Sequence, residues 1–166
     1  YMLPEGSTIN ITILQVVFGT ALTGAGAHVL NQWQERFHDA RMQRTKQRPL
    51  PSGRLEAKEA LIFGIILSVI GISYLWLNVN FMTALLGALT LGSYILVYTP
   101  LKRLTVMNTW FGAVTGSLHP LMGWAAQVGH LDWACLPIFL LLYFWQLPHF
   151  FAISWMYQDE YKLGGF

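Results

Sequence analysis

Long apolar runs alternate with short polar segments along this chain. Residues 6–34, 60–101, 104–131 and 133–158 contain no Asp, Glu, Lys or Arg. About 20 apolar residues in a helix cross a hydrocarbon core of roughly 30 Å. The longest run has room for two such helices, with the polar sequence NVN at 78–80 between them. Five membrane spans are therefore predicted, at residues 9–30, 60–77, 81–98, 108–126 and 133–156.

The positions of the basic residues predict how these spans are oriented. Five spans place residues 31–59, 99–107 and 157–166 on one side of the membrane, and residues 1–8, 78–80 and 127–132 on the other. All ten Lys and Arg then lie on the first side, which the positive-inside rule makes cytoplasmic. We expect a single domain over residues 1–166, an all-α transmembrane helical bundle in a bacterial inner membrane or the mitochondrial inner membrane.

The composition agrees with a membrane protein, because 54% of the residues are hydrophobic and only 11% are charged. A soluble domain has about a quarter charged residues. The net charge of +2 is too small to indicate a nucleic-acid partner. A single Cys excludes an internal disulfide. The chain starts at Tyr1 without Met and stops soon after a span, so we expect a fragment of a longer protein.

Most of the charged residues lie in one segment after the first span. Because residues 27–48 contain no Gly or Pro, the first helix is expected to continue beyond the membrane surface as far as Pro49. On that extension Asn31, Glu35 and Asp39 recur every four residues, so they form one stripe about 12 Å long. The alternative is a solvated face whose carboxylates pair with nearby Arg36, Arg41 or Arg44.

Carboxylates beside many cations favour a site for a metal-bound polyanion. The basic residues that follow the stripe are Arg44, Lys46, Arg48 and Arg54. Mg²⁺ prefers oxygen ligands and often binds through one or two carboxylates together with substrate phosphates. Arg and Lys complete the neutralisation, which a diphosphate leaving group needs when its C–O bond breaks. The stripe is therefore interpreted as a diphosphate ionisation site.

A second acidic pair, Asp159 and Glu160, follows the last span on the predicted cytoplasmic side. An isolated pair of this kind is usually an ordinary charged helix end. Its predicted position on the same side as the first stripe makes it a candidate part of the same site. Lys102 and Arg103, after the sequence VYTP, are expected there too.

Three long segments together resemble the UbiA superfamily of intramembrane prenyltransferases. They are NQWQERFHDARMQRTKQRPLPSGRL, YTPLKRLTVMNTWFGAVTGSLHPLMGWAA and FWQLPHFFAISWMYQDEYKLGG, and the resemblance covers nearly the whole chain. It implies an all-helical fold of about nine spans, with two acidic motifs facing each other across a cavity open to the membrane. The first helix and about three at the end would be absent here. The members most similar in these motifs transfer farnesyl from farnesyl diphosphate to a vinyl group of haem B, with Mg²⁺.

The resemblance also implies roles for particular residues. Catalytic residues and Mg²⁺ ligands would be Asn31, Glu35 and Asp39 of the first motif and Asp159 and Glu160 of the second. Diphosphate binding would fall to Arg44, Lys46, Arg48, Lys102 and Arg103. His149, Trp145 and Tyr98 are candidates for contact with the haem or the prenyl chain.

Three positions depart from the family pattern. Phe37 stands where relatives often have an acidic residue, which leaves the number of metal ligands in the first motif open. Glu160 precedes Tyr161 where Asp is more usual, so either Asp159 or Glu160 is the ligand. His119 stands in SLHPLMGW where relatives often have Pro.

Aromatic and His residues near the last span extend the candidate site. Aromatic rings stabilise a nearby cation through their quadrupole. The candidates are Trp110, Phe144, Trp145, Phe150 and Trp155, although interfacial or lipid-facing positions are the ordinary explanation for each. His149 follows Pro148 in the same span, where an unpaired His is costly. It would either contact haem or bond a carbonyl freed by Pro148.

Two other functions remain open at this point. One is a related prenyltransferase with an aromatic or quinone-precursor acceptor, against which the RPLPSGR and WQLPHF strings argue. The other is a transporter, against which the position of the carboxylates at one membrane face argues, since ion paths place such groups near the midplane. The expected partners are farnesyl diphosphate, haem B and the lipid bilayer, with contact to haem A synthase or a terminal oxidase assembly.

Overall fold

The computed structural model describes residues 11–105 and 107–164, and their regular secondary structure is entirely helical. The long helices are α1 (Ile11–Asp39), α2 (Ala57–Asn78), α3 (Phe81–Gly92), α5 (Asn108–Val128) and α6 (Leu136–Met156). The short ones are a π-helical segment (Ser93–Tyr98), α4 (Thr99–Leu101), a 3₁₀ turn (Trp133–Cys135) and α7 (Gln158–Gly164). The predicted all-α fold is confirmed. The expected loop 1–8 and the start of the first span at residue 9 lie outside the described residues.

Within the described residues, four helical stretches are long and apolar enough to cross a membrane. They are Ile11–Asp39, Ala57–Asn78, Phe81–Leu101 and Trp133–Met156. The remaining predicted span, 108–126, coincides with α5, which has 21 residues but is not among the four. Its inward side carries buried hydroxyl residues, including Thr115 and Ser117, which make it less apolar. Large apolar side chains such as Leu77, Leu96 and Leu141 are exposed on the outer surface, as suits contact with lipid.

α1 ends ten residues earlier than the sequence predicts, at Asp39 instead of Pro49. The chain leaves the helix in tight turns, because the Met42 amide donates to the Asp39 carbonyl over 3.3 Å. The Thr45 hydroxyl also donates to that carbonyl, over 2.9 Å, and Thr45 is buried. Because the Asp39 carbonyl already accepts these hydrogen bonds, it does not need the amide that a further helical turn would supply. The basic segment can therefore fold back over the end of α1.

Small residues bring α1 and α2 close together. A Cβ atom added at Gly71 would lie 2.6 Å from the Thr23 backbone nitrogen, so only Gly fits there at this spacing. Thr23 and Ser68 satisfy their hydroxyls on their own helices, by donating to the carbonyls of Gly19 and Gly64. Small residues of this kind permit close helix packing in membranes. The contact fixes α1, which carries the acidic stripe.

A polar turn joins α2 to α3, as the NVN sequence predicts. The Asn80 side chain accepts from the Thr83 amide over 2.8 Å and so caps the start of α3. Its Nδ2 donates to the Ala125 carbonyl of α5, also over 2.8 Å. Beside this turn lies the main buried apolar cluster, which includes Leu75 and Met122. The polar residues of the candidate site lie at the opposite end of the helices.

The helix that continues α3 switches from α-helical to π-helical hydrogen bonding before it reaches Lys102 and Arg103. Pro100 has no N–H, and the amide of the preceding residue, Thr99, bonds the Tyr94 carbonyl in the wider π pattern. The Thr99 hydroxyl donates to the same carbonyl over 2.8 Å. This local rearrangement brings the buried Thr99 against Asn31 of α1.

Candidate active site

The acidic stripe of α1 faces the interior of the helix bundle. Asn31, Glu35 and Asp39 are 6%, 5% and 1% exposed, respectively. Their spacing of four residues places them on one side of α1, as the sequence predicts. The alternative of a solvated face is therefore wrong for these three side chains. Buried carboxylates of this kind require positive partners.

Each member of the stripe is bound by a residue from outside α1, from the segment 99–102 or from the basic loop. Asn31 Nδ2 donates to the Thr99 hydroxyl over 3.1 Å. Glu35 accepts from Lys102 Nζ over 3.1 Å, and Asp39 accepts from Arg48 over 2.8 Å. Both cations therefore come from beyond α1, and neither is one of the neighbouring arginines that an ordinary helix surface would use. The ion pairs connect the stripe to the basic loop and to the segment after α4.

The basic loop after α1 is held by its own turns. The Ser52 amide donates to the Arg48 carbonyl over 3.0 Å, and the Gly53 amide donates to the Leu50 carbonyl over 3.1 Å. Gly53 has φ 73°, a left-handed conformation that favours Gly. These turns fix the backbone of Arg48, whose side chain reaches back to Asp39.

Three further cations lie at the surface of the same end. Arg44 and Lys46 are exposed, and the Arg44 guanidinium lies 4.9 Å from the centre of the Tyr157 ring. Arg103 is exposed and donates to the Gln34 carbonyl of α1 over 3.0 Å. All five basic residues expected to bind diphosphate are therefore found at this end of the bundle.

Of the second acidic pair, Asp159 and Glu160, only Glu160 contacts the basic loop that follows α1. Its Oε2 accepts from the Arg44 amide over 3.4 Å, a long hydrogen bond that joins α7 to the basic loop. The Asp159 side chain is 87% exposed and pairs with Lys162, one turn away, over 3.3 Å. The two acidic segments, far apart in sequence, thus lie at one end of the molecule.

Two cavities meet beside this cluster. The interfacial cavity, about 560 Å³, lies at the polar end and is lined by Lys102, Arg103, Asn108, Gln158, Tyr161 and Lys162 among others. The membrane cavity, about 270 Å³, lies among α1, α3, α5 and α6 and is lined mainly by apolar and small residues. Tyr98 and Phe150 line both cavities, with their rings stacked at a centroid distance of 6.2 Å.

The interfacial cavity also contains hydroxyl groups that sequence analysis did not single out. Burial raises the pKa of Tyr161 above its ordinary value; Glu35 and Tyr157 act in the same direction, and Arg44 opposes them. Its hydroxyl therefore stays protonated at neutral pH and can donate a hydrogen bond. Sequence analysis also missed the role of Thr99, which bonds Asn31 and is not a lining residue of this cavity. Its position in VYTP, one turn before Lys102, could have indicated that role.

The aromatic candidates divide into two groups. Tyr98 and Phe150 line the cavities. Trp145 and His149 stack on each other on α6 with a centroid distance of 5.2 Å, and both are exposed. Neither is among the lining residues of the two cavities. Trp110, Phe144 and Trp155 are likewise exposed on the outer surface.

The donors of the site suit Mg²⁺ shared with a substrate. The side chains of Glu35, Asp39 and Glu160 offer carboxylate oxygens and that of Asn31 offers an amide oxygen. Oxygen is the ligand atom that Mg²⁺ prefers. Within residues 11–105 and 107–164, no three His, Cys, Asp or Glu side chains lie close enough to hold a metal by themselves. Mg²⁺ commonly needs only one or two carboxylates when phosphate oxygens complete its shell. The fit is therefore to a metal–diphosphate complex rather than to a metal alone.

A polytopic helical bundle with buried carboxylates and cations at one end, next to an apolar cavity, has the features of a membrane protein that binds a charged ligand with an apolar tail. Residues 1–166 match the UbiA prenyltransferase family, and the chain belongs to that family. It is thus an integral membrane protein.

Three similar curated proteins share one name. The chain is 46% identical over 155 residues to a protoheme IX farnesyltransferase of Solibacter usitatus, covering 93% of this chain and 53% of the relative. It is 43% identical over 163 residues to that of Myxococcus xanthus, covering 98% and 55%. It is 42% identical over 148 residues to the human mitochondrial protein, covering 89% and 33%. The chain spans about half the length of the bacterial relatives. No solved structure gives a significant match.

Proposed function

We propose that this chain forms the diphosphate-binding part of an enzyme that transfers farnesyl from farnesyl diphosphate to a vinyl group of haem B, giving haem O. The observation that carries the proposal is the buried stripe of Asn31, Glu35 and Asp39, paired with Lys102 and Arg48. Lys102 of this cluster lines the interfacial cavity, which shares Tyr98 and Phe150 with the membrane cavity. The names of the curated relatives supply the two substrates.

The cations of the cluster would bind the diphosphate. Lys102 lines the interfacial cavity and Arg48 is partly exposed, so both can exchange a carboxylate for phosphate oxygens or hold both at once. Arg44, Lys46 and Arg103 add positive charge at the exposed surface of the same end of the bundle. Arg binds phosphate in a bidentate geometry, whereas Lys acts as a point charge.

The carboxylates and Asn31 would hold Mg²⁺ against the same diphosphate. The ligands in this proposal are Asn31, Glu35 and Asp39 from α1, with Glu160 from α7. Asp159, whose side chain is 87% exposed and pairs with Lys162, is not a ligand in this proposal. Bound Mg²⁺ would neutralise charge on the leaving oxygens. Tyr161 lines the interfacial cavity, and in this proposal its hydroxyl would donate a hydrogen bond to the departing diphosphate.

The proposed reaction takes place where the two cavities meet. The C–O bond of farnesyl diphosphate breaks, the diphosphate leaves with the electron pair, and an allylic cation remains near Tyr98 and Phe150, whose rings favour a cation. The haem vinyl group donates its π electrons and a C–C bond forms. Water then adds to the cation on the porphyrin side and loses a proton, which leaves a hydroxyl. Burial of the roughly 15-carbon tail in apolar surroundings contributes on the order of 10 kcal/mol.

The proposal extends to the location of the protein. The Lys- and Arg-rich end would face the cytoplasm of a bacterium, or the matrix side of the mitochondrial inner membrane. Because haem O is poorly soluble in water, we include contact with haem A synthase or a terminal oxidase assembly in the proposal.

Replacement of one buried carboxylate tests the site. Asp39→Asn in the full-length enzyme keeps the side-chain size and removes the charge, so turnover of farnesyl diphosphate should fall by about 10²-fold or more, as when a charge-stabilising group is removed. The matched control is Asp132→Asn at the other end of the bundle, where Asn can still cap the Ala134 amide. Release of diphosphate is the measurement. Equal turnover in the two variants would contradict the proposal.

The acceptor is tested separately. Membranes containing the full-length enzyme are incubated with labelled farnesyl diphosphate and either haem B or 4-hydroxybenzoate. Label in the haem product alone is expected. Label in the benzoate product alone would assign the enzyme to the other acceptor class.

A further inference from the structure

Glycines line much of the membrane cavity, and one of them differs from the rest. The lining glycines are Gly24 of α1, Gly87 of α3, and Gly112 and Gly116 of α5. A Cβ atom added at any of the last three would lie within 3.2 Å of a neighbouring side chain, so these glycines are needed for packing. A Cβ atom added at Gly24 would meet no atom within 4 Å.

Gly24 lies in the middle of the face that α1 presents to the cavity. The lining residues of α1 are Thr20, Thr23, Gly24, Ala27 and His28. They recur at the spacing of one helix face. A side chain at position 24 would therefore extend into the cavity and take up part of its volume. The present glycine leaves that volume to a ligand.

The cavity suits a hydrocarbon occupant. Its lining consists mainly of apolar and small residues. Three hydroxyls of the lining, those of Thr23, Thr90 and Thr115, donate to carbonyls four residues earlier on their own helices. An apolar chain can fill the space beside them without leaving them unpaired.

The volume of the cavity corresponds to two isoprene units. At about 30 Å³ for one water-sized group, 270 Å³ takes roughly nine such groups, close to the roughly ten carbons of two units. One more unit would lie between the diphosphate and the cavity, beside Tyr98 and Phe150, which line both cavities. The sum is three units, the length of farnesyl.

The depth of Gly24 corresponds to the third unit. Gly24 is seven residues before Asn31 on α1, so it lies about 10 Å deeper in the membrane than the polar stripe. An extended chain advances about 1.2 Å per bond, and the first two units therefore cover about 10 Å. The lining of α1 ends about 6 Å further on, at Thr20, and that of α5 ends at the buried Met122. The space beyond Gly24 has room for one unit.

We propose that Gly24 determines which prenyl chain length the enzyme accepts, because its missing side chain leaves room for the third isoprene unit. The inference rests on the proposed function, which supplies the prenyl diphosphate. It adds the means by which the site distinguishes farnesyl from shorter and longer chains. Gly24 contacts the tail and takes no part in breaking the C–O bond.

Binding of non-ionising thiodiphosphates tests the inference without the chemical step. Full-length enzyme in lipid nanodiscs, with Mg²⁺, is titrated by calorimetry with the geranyl, farnesyl and geranylgeranyl compounds. The wild type should bind farnesyl more tightly than geranyl, and geranylgeranyl no more tightly than farnesyl, because the cavity ends after the third unit.

Substitution at position 24 should remove the preference for farnesyl. Since each buried CH₂ contributes about fourfold in affinity, Gly24→Leu should weaken farnesyl binding at least about tenfold. It should change geranyl binding by less than about threefold, since the shorter chain does not reach this depth. Gly24→Ala, a smaller change, should shift both affinities in the same direction by less.

The matched control is Gly123→Leu. Gly123 of α5 also has no atom within 4 Å of an added Cβ, but it is exposed and is not among the lining residues of either cavity. All three compounds should bind this variant as they bind the wild type.

The outcomes separate this inference from the proposed function. Equal farnesyl affinity in Gly24→Leu and Gly123→Leu would overturn the inference, as would equal losses of geranyl and farnesyl binding in Gly24→Ala. If the compounds bind as predicted but the wild type makes no haem O from farnesyl diphosphate and haem B, the proposed function fails and the inference stands. If the wild type makes haem O and Gly24→Leu keeps its full farnesyl affinity, the inference fails and the proposed function stands.

Discussion

At the residue scale, the Glu35–Lys102 pair shows how this bundle tolerates charge. Only 6% of the Glu35 side-chain surface is exposed, and its partner, at 3.1 Å, is 20% exposed. Lys102 Nζ also lies 4.8 Å from the centre of the Tyr98 ring, so the cation has an aromatic neighbour as well as a carboxylate. Such a pair is stable as a unit, whereas either charge alone would be buried without compensation.

Removal of Lys102 should therefore destabilise the fold as well as the site. Lys102→Met should reduce the free energy of unfolding by about 3 kcal/mol, because Glu35 is left buried without its cation. The double variant Lys102→Met, Glu35→Gln should recover much of this loss while remaining inactive. Lys162→Met is the control, since the exposed Lys162–Asp159 pair contributes at most about 1 kcal/mol. Denaturant unfolding of the purified protein in detergent measures all three.

The sequence predicted the stripe but not its partners. The four-residue spacing of Asn31, Glu35 and Asp39 is a local property of a helix, so it can be found without coordinates. Lys102 lies 67 residues beyond Glu35, and only the packing of the α3 extension against α1 brings the two together. For the same reason, sequence analysis could not choose between Asp159 and Glu160.

At the element scale, the close packing of α1 and α2 holds the stripe in place. Gly71 of α2 lies directly against the Thr23 backbone of α1, and Gly123 of α5 has no neighbouring atom within 4 Å of an added Cβ. These two positions form a matched pair, because both are helical glycines and only one is at a close helix contact.

Gly71→Ala should separate α1 from α2 and cost about 1–3 kcal/mol of stability, the usual range for overpacking. Gly123→Ala should be neutral, or stabilising by up to about 1 kcal/mol, because Ala favours a helix. Thermal unfolding in detergent measures both. A Gly71→Ala protein as stable as Gly123→Ala would show that the close contact is not needed.

The element boundaries show where sequence patterns reach their limit. Apolar runs and the NVN turn located α2 and α3 because those signals are local. The early end of α1 depends on the bond from Thr45 to the Asp39 carbonyl, and the π segment before Pro100 on a local shift of the hydrogen-bond ladder. Absence of Gly and Pro permits a helix but does not require one.

At the scale of the whole molecule, three segments distant in sequence form one polar end. α1 supplies the stripe, the segment after α4 supplies Lys102 and Arg103, and α7 supplies Glu160. The apolar membrane cavity adjoins this end, with Tyr98 and Phe150 shared between the two cavities. The distribution of basic residues indicated that these segments share one side. The cavities could not be predicted, because they depend on which helices are adjacent.

The central claim is that both acidic segments act on one metal–diphosphate unit, and a double-mutant cycle tests it most directly. Binding of a non-ionising farnesyl thiodiphosphate, with Mg²⁺, is measured by calorimetry for full-length wild type, Asp39→Asn, Glu160→Gln and the double variant. Asp159→Asn replaces Glu160→Gln in a control cycle. Groups that share one ligand should couple by about 0.5–3 kcal/mol, whereas independent sites add within about 0.5 kcal/mol. Coupling of Asp39 with Glu160 that exceeds the coupling with Asp159 is the predicted result. Additive losses for Asp39 and Glu160 would contradict a shared site.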